Sequence, residues 1–330
     1  MVATARVCVT GLGIEIPAIA STHDLIERVL AHQLISSSDT QPPIAGSRYK
    51  DYATKLALLS AESALLDAKL PVKASEQVSA HKFGVIVSSN LGNLETVCRV
   101  DEIIRLRHAK HTSPMDFPNL SSNIVSSSVA IRFGLKGINL MVCNGATSGI
   151  DALHLAANVI RAGRARRMLV VGVEPADQTA SSLMNNTLRQ AVSGAVVVES
   201  EMAAQERQAT IYGWLGKGDY GFNQAAIEES VRAATEASRH LVSLWLGPNN
   251  NNDTLATQMA ALRPEVLPNL KETLDLSASL GETYGALGIL QCIVACFWLK
   301  DYDKPAALIT NGAAWGDPAV SLMIQRQPLH

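Results

Sequence analysis

The sequence predicts an α/β fold in which helices cover both faces of a mostly parallel sheet. Short apolar strands alternate along the chain with longer segments that have the periodicity of amphipathic helices. Strands such as 84–87 are rich in valine and isoleucine and apolar on both sides, as strands of a buried parallel sheet are. The length of 330 residues fits two fused α/β halves or one large layered domain.

The individual elements follow from composition and period. Eight segments have the apolar composition of strands, namely 6–10, 83–88, 137–142, 167–172, 194–199, 209–215, 241–246 and 306–310. Seven segments have helical periodicity, namely 21–31, 53–68, 91–108, 146–162, 223–238, 254–261 and 285–299. Polar stretches at 36–47 and 248–253 are predicted to be loops.

Composition and charge narrow the possible partners. The formal charge is −2, so electrostatics gives no reason to expect a nucleic acid or an anionic membrane. We find no apolar run of the ~20 residues that cross a bilayer, and the first residues do not resemble a signal peptide. Only 18% of the residues are charged, which is compatible with a large buried interface between subunits.

Cysteine, histidine and glycine spacing gives no reason to expect a metal or a cofactor. The five cysteines, at positions 8, 98, 143, 292 and 296, have no zinc or disulfide spacing, so we expect a reducing cytoplasm. The histidines are scattered without a metal-ligand pattern. Gly11 and Gly13 follow a strand, but Ile16 stands where a dinucleotide-binding motif needs its third glycine.

Cys143 bears most directly on chemistry. A strand-like stretch leads into it, small residues follow it, and a helical segment begins near Ala146. A helix N-terminus stabilises a thiolate through its unpaired N–H groups and its dipole, so this turn can hold a nucleophilic sulfur. Alternatively, Cys143 is a small buried residue, because free cysteine is among the most buried residue types. The local pattern leaves both interpretations open.

Several motifs occur in a fixed order around this cysteine. The strand after the Cys143 helix ends at Glu174, and a glycine- and alanine-containing helix start follows at 281–288. Further short motifs lie at 7–13, 84–92, 193–199 and 307–316. In order and spacing these motifs resemble those of the β-ketoacyl synthases, in which the corresponding elements read Gly-Gly-x-Glu and Gly-His-x-x-Gly-Ala-Ala-Gly. The resemblance covers nearly the whole chain.

The resemblance implies a thiolase-like fold, with two pseudo-repeated halves stacked as five layers, αβαβα. The N-terminal half would span 1–204 and carry the Cys143 turn. The C-terminal half would span 205–330 and carry the positions that match the family's two histidines.

Those positions have changed residue type. The family forms carbon–carbon bonds with a thiolate that accepts the acyl chain, while two histidines and a lysine stabilise the enolate and the oxyanion. On the matching positions this chain has Leu246, Glu282 and Ser277. Leu246 offers no donor, and an ionised Glu282 would repel the developing negative charge. A protonated Glu282 could still donate one hydrogen bond.

Two further departures concern the loading of the acyl chain. The chain is short between Glu174 and Ser193, where active relatives carry a longer loop. Trp315 stands at the family's gating phenylalanine, with Asp317 in place of a glycine beside it. We expect these residues to stiffen or close the gate.

The resemblance therefore favours a non-catalytic, chain-length-factor type of subunit. Such a subunit forms a heterodimer with a catalytic ketosynthase and shapes the acyl tunnel in type II polyketide or fatty-acid-like biosynthesis, here of an aryl polyene or highly reducing kind. It would meet an acyl carrier protein through the complex. In such a non-catalytic subunit Cys143 would be vestigial. The alternative is an acyltransferase or condensing enzyme that uses Cys143 as acyl acceptor.

The family's dimer contact gives candidate interface residues. It is built around the strand before the nucleophile, here 137–142, and the segment leading to it, here 115–129. The resemblance assigns four residues to the interface or the tunnel, namely Phe117, Ile124, Val125 and Met141. The alternative for 115–129 is an ordinary surface loop with a helix start.

Overall fold

The computed structural model describes residues 5–35, 49–73, 80–185, 187–222, 225–236, 238–248, 266–312 and 318–328. Its strands are β1 (Val7–Glu15), β2 (Phe83–Ser88), β3 (Asn139–Val142), β4 (Arg167–Glu174), β5 (Val192–Ser200), β6 (Gly213–Gly221), β7 (Val242–Leu246), β8 (Glu272–Leu274), β9 (Ala306–Gly312) and β10 (Ala319–Gln325). Its helices are α1 (Thr22–Leu30), α2 (Tyr52–Asp67), α3 (Leu94–Arg107), α4 (Ile124–Phe133), α5 (Ser148–Arg161), α6 (Gln178–Leu183), α7 (Glu201–Glu206), α8 (Ala226–Thr235), α9 (Leu276–Leu280) and α10 (Tyr284–Asp301).

The strands form one continuous ten-stranded sheet in the order β3-β2-β4-β5-β1-β6-β10-β9-β7-β8. Each strand from β1 to β5 has its counterpart five strands later in the chain, at the mirrored position across the antiparallel β1–β6 contact. In each half the three outer strands are parallel to one another. The connection from β5 to β6 contains the predicted boundary between 204 and 205, and that division into two halves stays a prediction.

The helices form three layers around the two halves of the sheet. The central layer consists of α5 and α10, which contact each other and strands of both halves. The outer layers are α2, packed on β1, β4 and β5, and α8, packed on β6, β9 and β10. Three apolar clusters fill the spaces between these layers, one central and one under each outer layer. The predicted α/β, five-layer fold is therefore confirmed. The expectation of a mostly parallel sheet was wrong, because five of the nine neighbouring strand pairs in the described ranges are antiparallel.

Two glycines let the central helices cross closely. A Cβ on Gly288 of α10 would lie only 2.5 Å from the backbone nitrogen of Ile150 on α5. A Cβ on Gly149 of α5 would lie 2.8 Å from the backbone nitrogen of Gly288. Such distances are shorter than side chains tolerate, so glycine is needed on both sides of this crossing.

Apolar α10 is long enough to cross a membrane by length and composition alone. In the protein, however, 78% of its apolar window is buried, as expected for the core helix of a layered fold.

The strand prediction was least accurate in the second half. The strand expected at 209–215 is β6, which begins at Gly213 and continues to Gly221. Its inner glycines permit close contact with β10, since a Cβ on Gly216 would lie 3.0 Å from Met323 Cβ. The short strand β8 and the strand β10, which lies between β6 and β9, were not predicted. The predicted helix 254–261 and the loop 36–47 lie outside the described residues.

Candidate functional site

The candidate site lies at the edge of the sheet where parallel strands end. β2, β3 and β4 end at Ser88, Val142 and Glu174. The register pairs Ser88 with both Val142 and Gly172, so the three strand ends are side by side. Cys143 follows β3 directly. In α/β folds ligands bind at the carboxyl ends of such strands.

Cys143 is exposed in the turn between β3 and α5. Partial burial of the thiol and the negative charge of Glu174 raise the pKa of Cys143 above its ordinary value. The helix α5 begins only at Ser148, after a 3₁₀ turn at Gly145–Thr147. Activation of the thiol by the helix N-terminus therefore stays a prediction. The alternative of a buried cysteine was wrong, because Cys143 is exposed.

Asn90 holds the turn that carries Cys143. The Gly145 N–H donates to Asn90 Oδ1 at 3.0 Å, and Asn90 Nδ2 donates to the Gly145 carbonyl at 3.1 Å. The next residue after Cys143 is also fixed, because the Asn144 N–H donates to Ser148 Oγ at 2.6 Å. Gly145 has a φ of +70°, which glycine adopts without steric cost. The turn that carries Cys143 is thus fixed by hydrogen bonds with Asn90 and Ser148.

Asp151 on α5 ties the same turn to the second half of the sheet. Its carboxylate accepts hydrogen bonds from Asn144 Nδ2 at 3.0 Å, from Thr147 Oγ1 at 2.8 Å and from the Tyr220 hydroxyl at 2.7 Å. Burial and the hydrogen bond to Asp151 raise the pKa of Tyr220. Tyr220 lies on β6, so this contact crosses between the halves.

Glu174 is the buried acid of the site, with 1% of its surface exposed. Its Oε1 accepts from the N–H groups of Asn90 at 2.7 Å and Gly285 at 3.0 Å. Its Oε2 accepts from the Leu91 N–H at 3.0 Å and from Ser89 Oγ at 3.2 Å. Burial raises the pKa of Glu174 to about 7, although these hydrogen bonds favour its charged form.

The three residues at the family's histidine and lysine positions are all described. Leu246 ends β7 and is fully buried in the central core. Glu282 is half-buried immediately before α10, and its N–H donates to the Thr187 carbonyl at 3.2 Å. Ser277 is buried in α9, where its N–H donates to Asp275 Oδ1 at 2.9 Å. Whether these positions are catalytically silent stays a prediction.

The candidate interface residues differ in exposure. Phe117 is 54% exposed, whereas Ile124 and Met141 are half-buried and pack against the core beneath α2. Val125 is fully buried in that core, because α4 turns it towards the sheet. It is therefore unavailable to a partner, and only its assignment to the tunnel remains a prediction. The gate residue Trp315 lies outside the described residues.

Asn90 is the site residue that the sequence did not reveal. The motif at 84–92 was recognised as a strand match, and the available signal was a polar side chain directly after a buried strand. Across the described ranges, we find no group of three or more histidine, cysteine, aspartate or glutamate residues arranged to hold a metal ion.

Sequence comparison relates the chain to condensing enzymes. Residues 46–193, just under half of the chain, match the family model "Beta-ketoacyl synthase, N-terminal domain". The 3-oxoacyl-[acyl-carrier-protein] synthase 2 of Coxiella burnetii is 22% identical, over 92% of this chain and 88% of that protein. The protein of the same name from Rhizobium meliloti is 30% identical, over 36% of this chain and 28% of that protein.

Solved structures share the whole fold. A β-ketoacyl synthase from Burkholderia phymatum has a TM-score of 0.82 at 16% identity, covering 98% of this chain and 100% of that one. The ishigamide ketosynthase/chain length factor has a TM-score of 0.80 at 18% identity, covering 97% and 99%. AntDE:AntF, a type II PKS acyl-carrier protein in complex with its ketosynthase, has a TM-score of 0.77 at 16% identity, covering 98% and 99%.

In sequence the chain is thus similar to β-ketoacyl synthases, and its fold is the mixed α/β, thiolase-like fold of the solved ketosynthases.

Proposed function

We propose that this chain is a ketosynthase-like subunit without condensing activity of its own. It pairs with a catalytic ketosynthase and helps to shape the tunnel for a growing acyl chain in type II polyketide or fatty-acid-like biosynthesis. One observation carries the proposal. The thiol of Cys143 is retained, while the positions that match the family's histidines and lysine hold Leu246, Glu282 and Ser277.

These residues supply fewer hydrogen-bond donors than the histidines and lysine they replace. Loss of a single oxyanion donor costs about 2.7–4 kcal/mol of barrier, a factor of roughly a hundred to a thousand in rate. Leu246 is fully buried hydrocarbon and offers no donor. Glu282 adds a carboxyl group before α10, where its charge and that of Glu174 both act on Tyr284. An ionised carboxylate there opposes the negative charge of an enolate.

The sulfur itself is also poorly prepared for attack. The thiolate is the nucleophilic form of cysteine, and a raised pKa lowers its population at neutral pH. Both causes of the raised pKa of Cys143, partial burial and the charge of Glu174, belong to the site itself. A retained but neutral thiol fits a subunit whose partner performs the condensation.

The unpaired edge of the sheet supports a partner of the same fold. β3 is the outermost strand of the first half, and Leu140 on it is 40% exposed. Ile131 on α4 and Phe117 are exposed as well, at 82% and 54%. Natural proteins cover edges and apolar surfaces of this kind. We propose that a catalytic ketosynthase covers this one, and that an acyl carrier protein meets the resulting complex.

Co-expression with a ketosynthase encoded nearby tests the proposal. We expect a 1:1 complex that extends an acyl chain. Activity should vanish when the partner's nucleophilic cysteine is replaced, and it should persist with Cys143→Ala in this chain. Activity of the complex that depends on Cys143 would contradict the proposal.

The exposure of Cys143 favours one alternative, acyl transfer without condensation. In that reaction the acyl group moves from a carrier thioester to Cys143 Sγ, and the carrier leaves as a thiol that takes the cysteine proton. Intact-mass measurement after incubation with an acyl carrier thioester distinguishes the two. A stoichiometric adduct that is lost in Cys143→Ala but kept in the control Cys98→Ala would favour acyl transfer, and no adduct favours the non-catalytic subunit.

A further inference from the structure

Glu174 joins three segments of the chain at the candidate site. It ends β4, and its Oε1 accepts from the Gly285 N–H at the start of α10 at 3.0 Å. It also accepts from the N–H groups of Asn90 at 2.7 Å and Leu91 at 3.0 Å, which follow β2. A Cβ on Gly285 would lie 2.8 Å from Glu174 Oε1, so glycine is needed for this approach. One buried side chain therefore sets the relative position of all three segments.

Asn90 extends this connection to the turn that carries Cys143. Its Nδ2 donates to Glu174 Oε1 at 3.2 Å and to the Gly145 carbonyl at 3.1 Å. Its Oδ1 accepts from the Gly145 N–H at 3.0 Å. A continuous path of hydrogen bonds thus runs from Gly285 through Glu174 and Asn90 to Gly145, two residues after Cys143.

The groups that bond Glu174 are all neutral. They are three backbone amides, one hydroxyl and one carboxamide. Among the described residues, ionised Glu174 therefore has no cation bonded to it that would cancel its charge at short range, and that charge acts on Cys143.

Two titratable groups face Glu174 from neighbouring elements. Cys143 faces it from the β3 turn, and Tyr284 faces it from α10. Burial raises the pKa of Tyr284, and the charges of Glu282 and Glu174 raise it further, so Tyr284 stays neutral near pH 7. The donors from the segment after β2 carry no charge. Of Glu174, Cys143 and Tyr284, Glu174 is the group that changes charge near neutrality.

We propose that Glu174 and Asn90 are positioning residues that fix the Cys143 turn against α10 and thereby set the reactivity of its thiol. The inference rests on the proposed function, because it explains why a subunit without activity can retain its cysteine. It is tested on the thiol of Cys143, with no partner present, so its failure would leave the proposed pairing standing.

The test is the rate at which iodoacetamide alkylates Cys143 in the full-length chain, followed by mass spectrometry of the Cys143 peptide. Rates are compared between about pH 5.5 and about pH 9.5 for wild type and Glu174→Gln. Glu228→Gln, on the distant outer helix α8, is the matched control. We expect Glu174→Gln to react at least about threefold faster at about pH 8, because the variant has no carboxylate charge acting on the thiol. The wild-type profile should also bend near pH 7, where Glu174 titrates, and the variant profile should not.

Superimposable profiles for the three proteins would overturn the role of Glu174. Should Glu174→Gln fail to fold, the wild-type profile decides alone, and a profile without a bend near pH 7 overturns the inference. Asn90→Ala tests the link to the turn. We expect hydrogen exchange of the Gly145 amide to speed up by about tenfold, relative to amides of β4, and unchanged exchange would overturn the role of Asn90.

Discussion

Two buried glutamates, Glu174 and Glu199, differ in their charged partners, and their pKa values shift in opposite directions. Among the described residues, Glu174 accepts bonds from neutral groups alone, and burial raises its pKa to about 7. Glu199 is equally buried, and burial alone would raise its pKa as well. There, however, the bonds and charges of Arg207 and Arg167 outweigh burial and lower the pKa. Glu199 is a structural ion pair, whereas Glu174 can titrate near neutrality.

The raised pKa of Glu174 predicts how the free energy of unfolding depends on pH. Its pKa rises from 4.5 to about 7 on folding, so the folded state holds the proton more tightly than the unfolded state. The free energy of unfolding should therefore fall as pH rises through this window, by up to about 3 kcal/mol, and level off above it. In Glu174→Gln this component is absent.

Urea unfolding of both proteins at about pH 5 and about pH 8 measures the difference. Wild type should lose stability relative to Glu174→Gln between the two conditions. An equal difference at both would contradict the shifted pKa.

The backbone conformation of His108 gives a second prediction for a single residue, about stability. It caps the C-terminal end of α3 with φ 70° and ψ 154°, a conformation that is almost confined to glycine. We expect His108→Gly to raise the free energy of unfolding by about 1 kcal/mol, because relief of strain exceeds the entropy cost of glycine. The control His111→Gly lies in the adjoining 3₁₀ turn and should not stabilise. Equal effects of the two substitutions would show that His108 is not strained.

At the scale of elements, the best-predicted segments are those whose residues are buried and apolar on both faces. β2 was predicted to the residue, because all its side chains are buried and apolar or small. α4 was missed because its serines resemble a loop. Two of them are buried, and their hydroxyls find partners, Ser126 with the Asn123 carbonyl and Ser128 with Lys50 Nζ. β8 has three residues and depends on β7 for its pairing, which local composition does not encode.

Asn90 was missed at the site because its contacts, like the pairing of β8, are not encoded in local composition. Cys143 and Glu174 belong to sequence motifs and could be identified. Asn90 acts on Gly145 and Glu174, which lie 55 and 84 positions away in sequence. Their contact is created by the parallel pairing of β2 with β3 and β4, so it appears only in the folded chain.

The crossing of α5 and α10 gives a prediction about these elements. Gly288→Ala would bring a methyl group to 2.5 Å from the Ile150 backbone nitrogen. Since the contact is with backbone, the helices must separate, and we expect a loss of about 1–3 kcal/mol in the free energy of unfolding. Ile131→Ala, at an 82% exposed helix position, is the control and should cost less than about 0.5 kcal/mol. A Gly288→Ala protein as stable as the control would argue against the close crossing.

At the scale of the whole molecule, the sheet is a repeat of one five-stranded topology with its outer edge at β3 exposed. The site stands next to that edge, because Cys143 follows β3. A partner on β3 would therefore lie beside the turn of Cys143. Under the proposed function, this arrangement would let a subunit without condensing activity shape a neighbouring tunnel.

The exposed edge strand β3 gives a prediction about the complex with the ketosynthase. Leu140→Glu introduces a charge on β3, and we expect it to weaken the complex with the ketosynthase by at least about tenfold, or about 1.4 kcal/mol. Met202→Glu, at an exposed position of α7, is the control and should leave affinity unchanged. Titration of the two purified variants against the ketosynthase measures both effects. Equal affinity of the two variants would exclude β3 from the interface.

The most direct measurement of the central claim is condensation by the purified chain alone. The chain is incubated with an acyl carrier thioester and a malonyl carrier thioester, and the 3-oxoacyl product is quantified by mass spectrometry. With Leu246, Glu282 and Ser277 in place of the family's donors, we predict no product above the Cys143→Ala background. Product formation at an ordinary enzymatic rate of about 1 s⁻¹ or more, lost in Cys143→Ala, would contradict it.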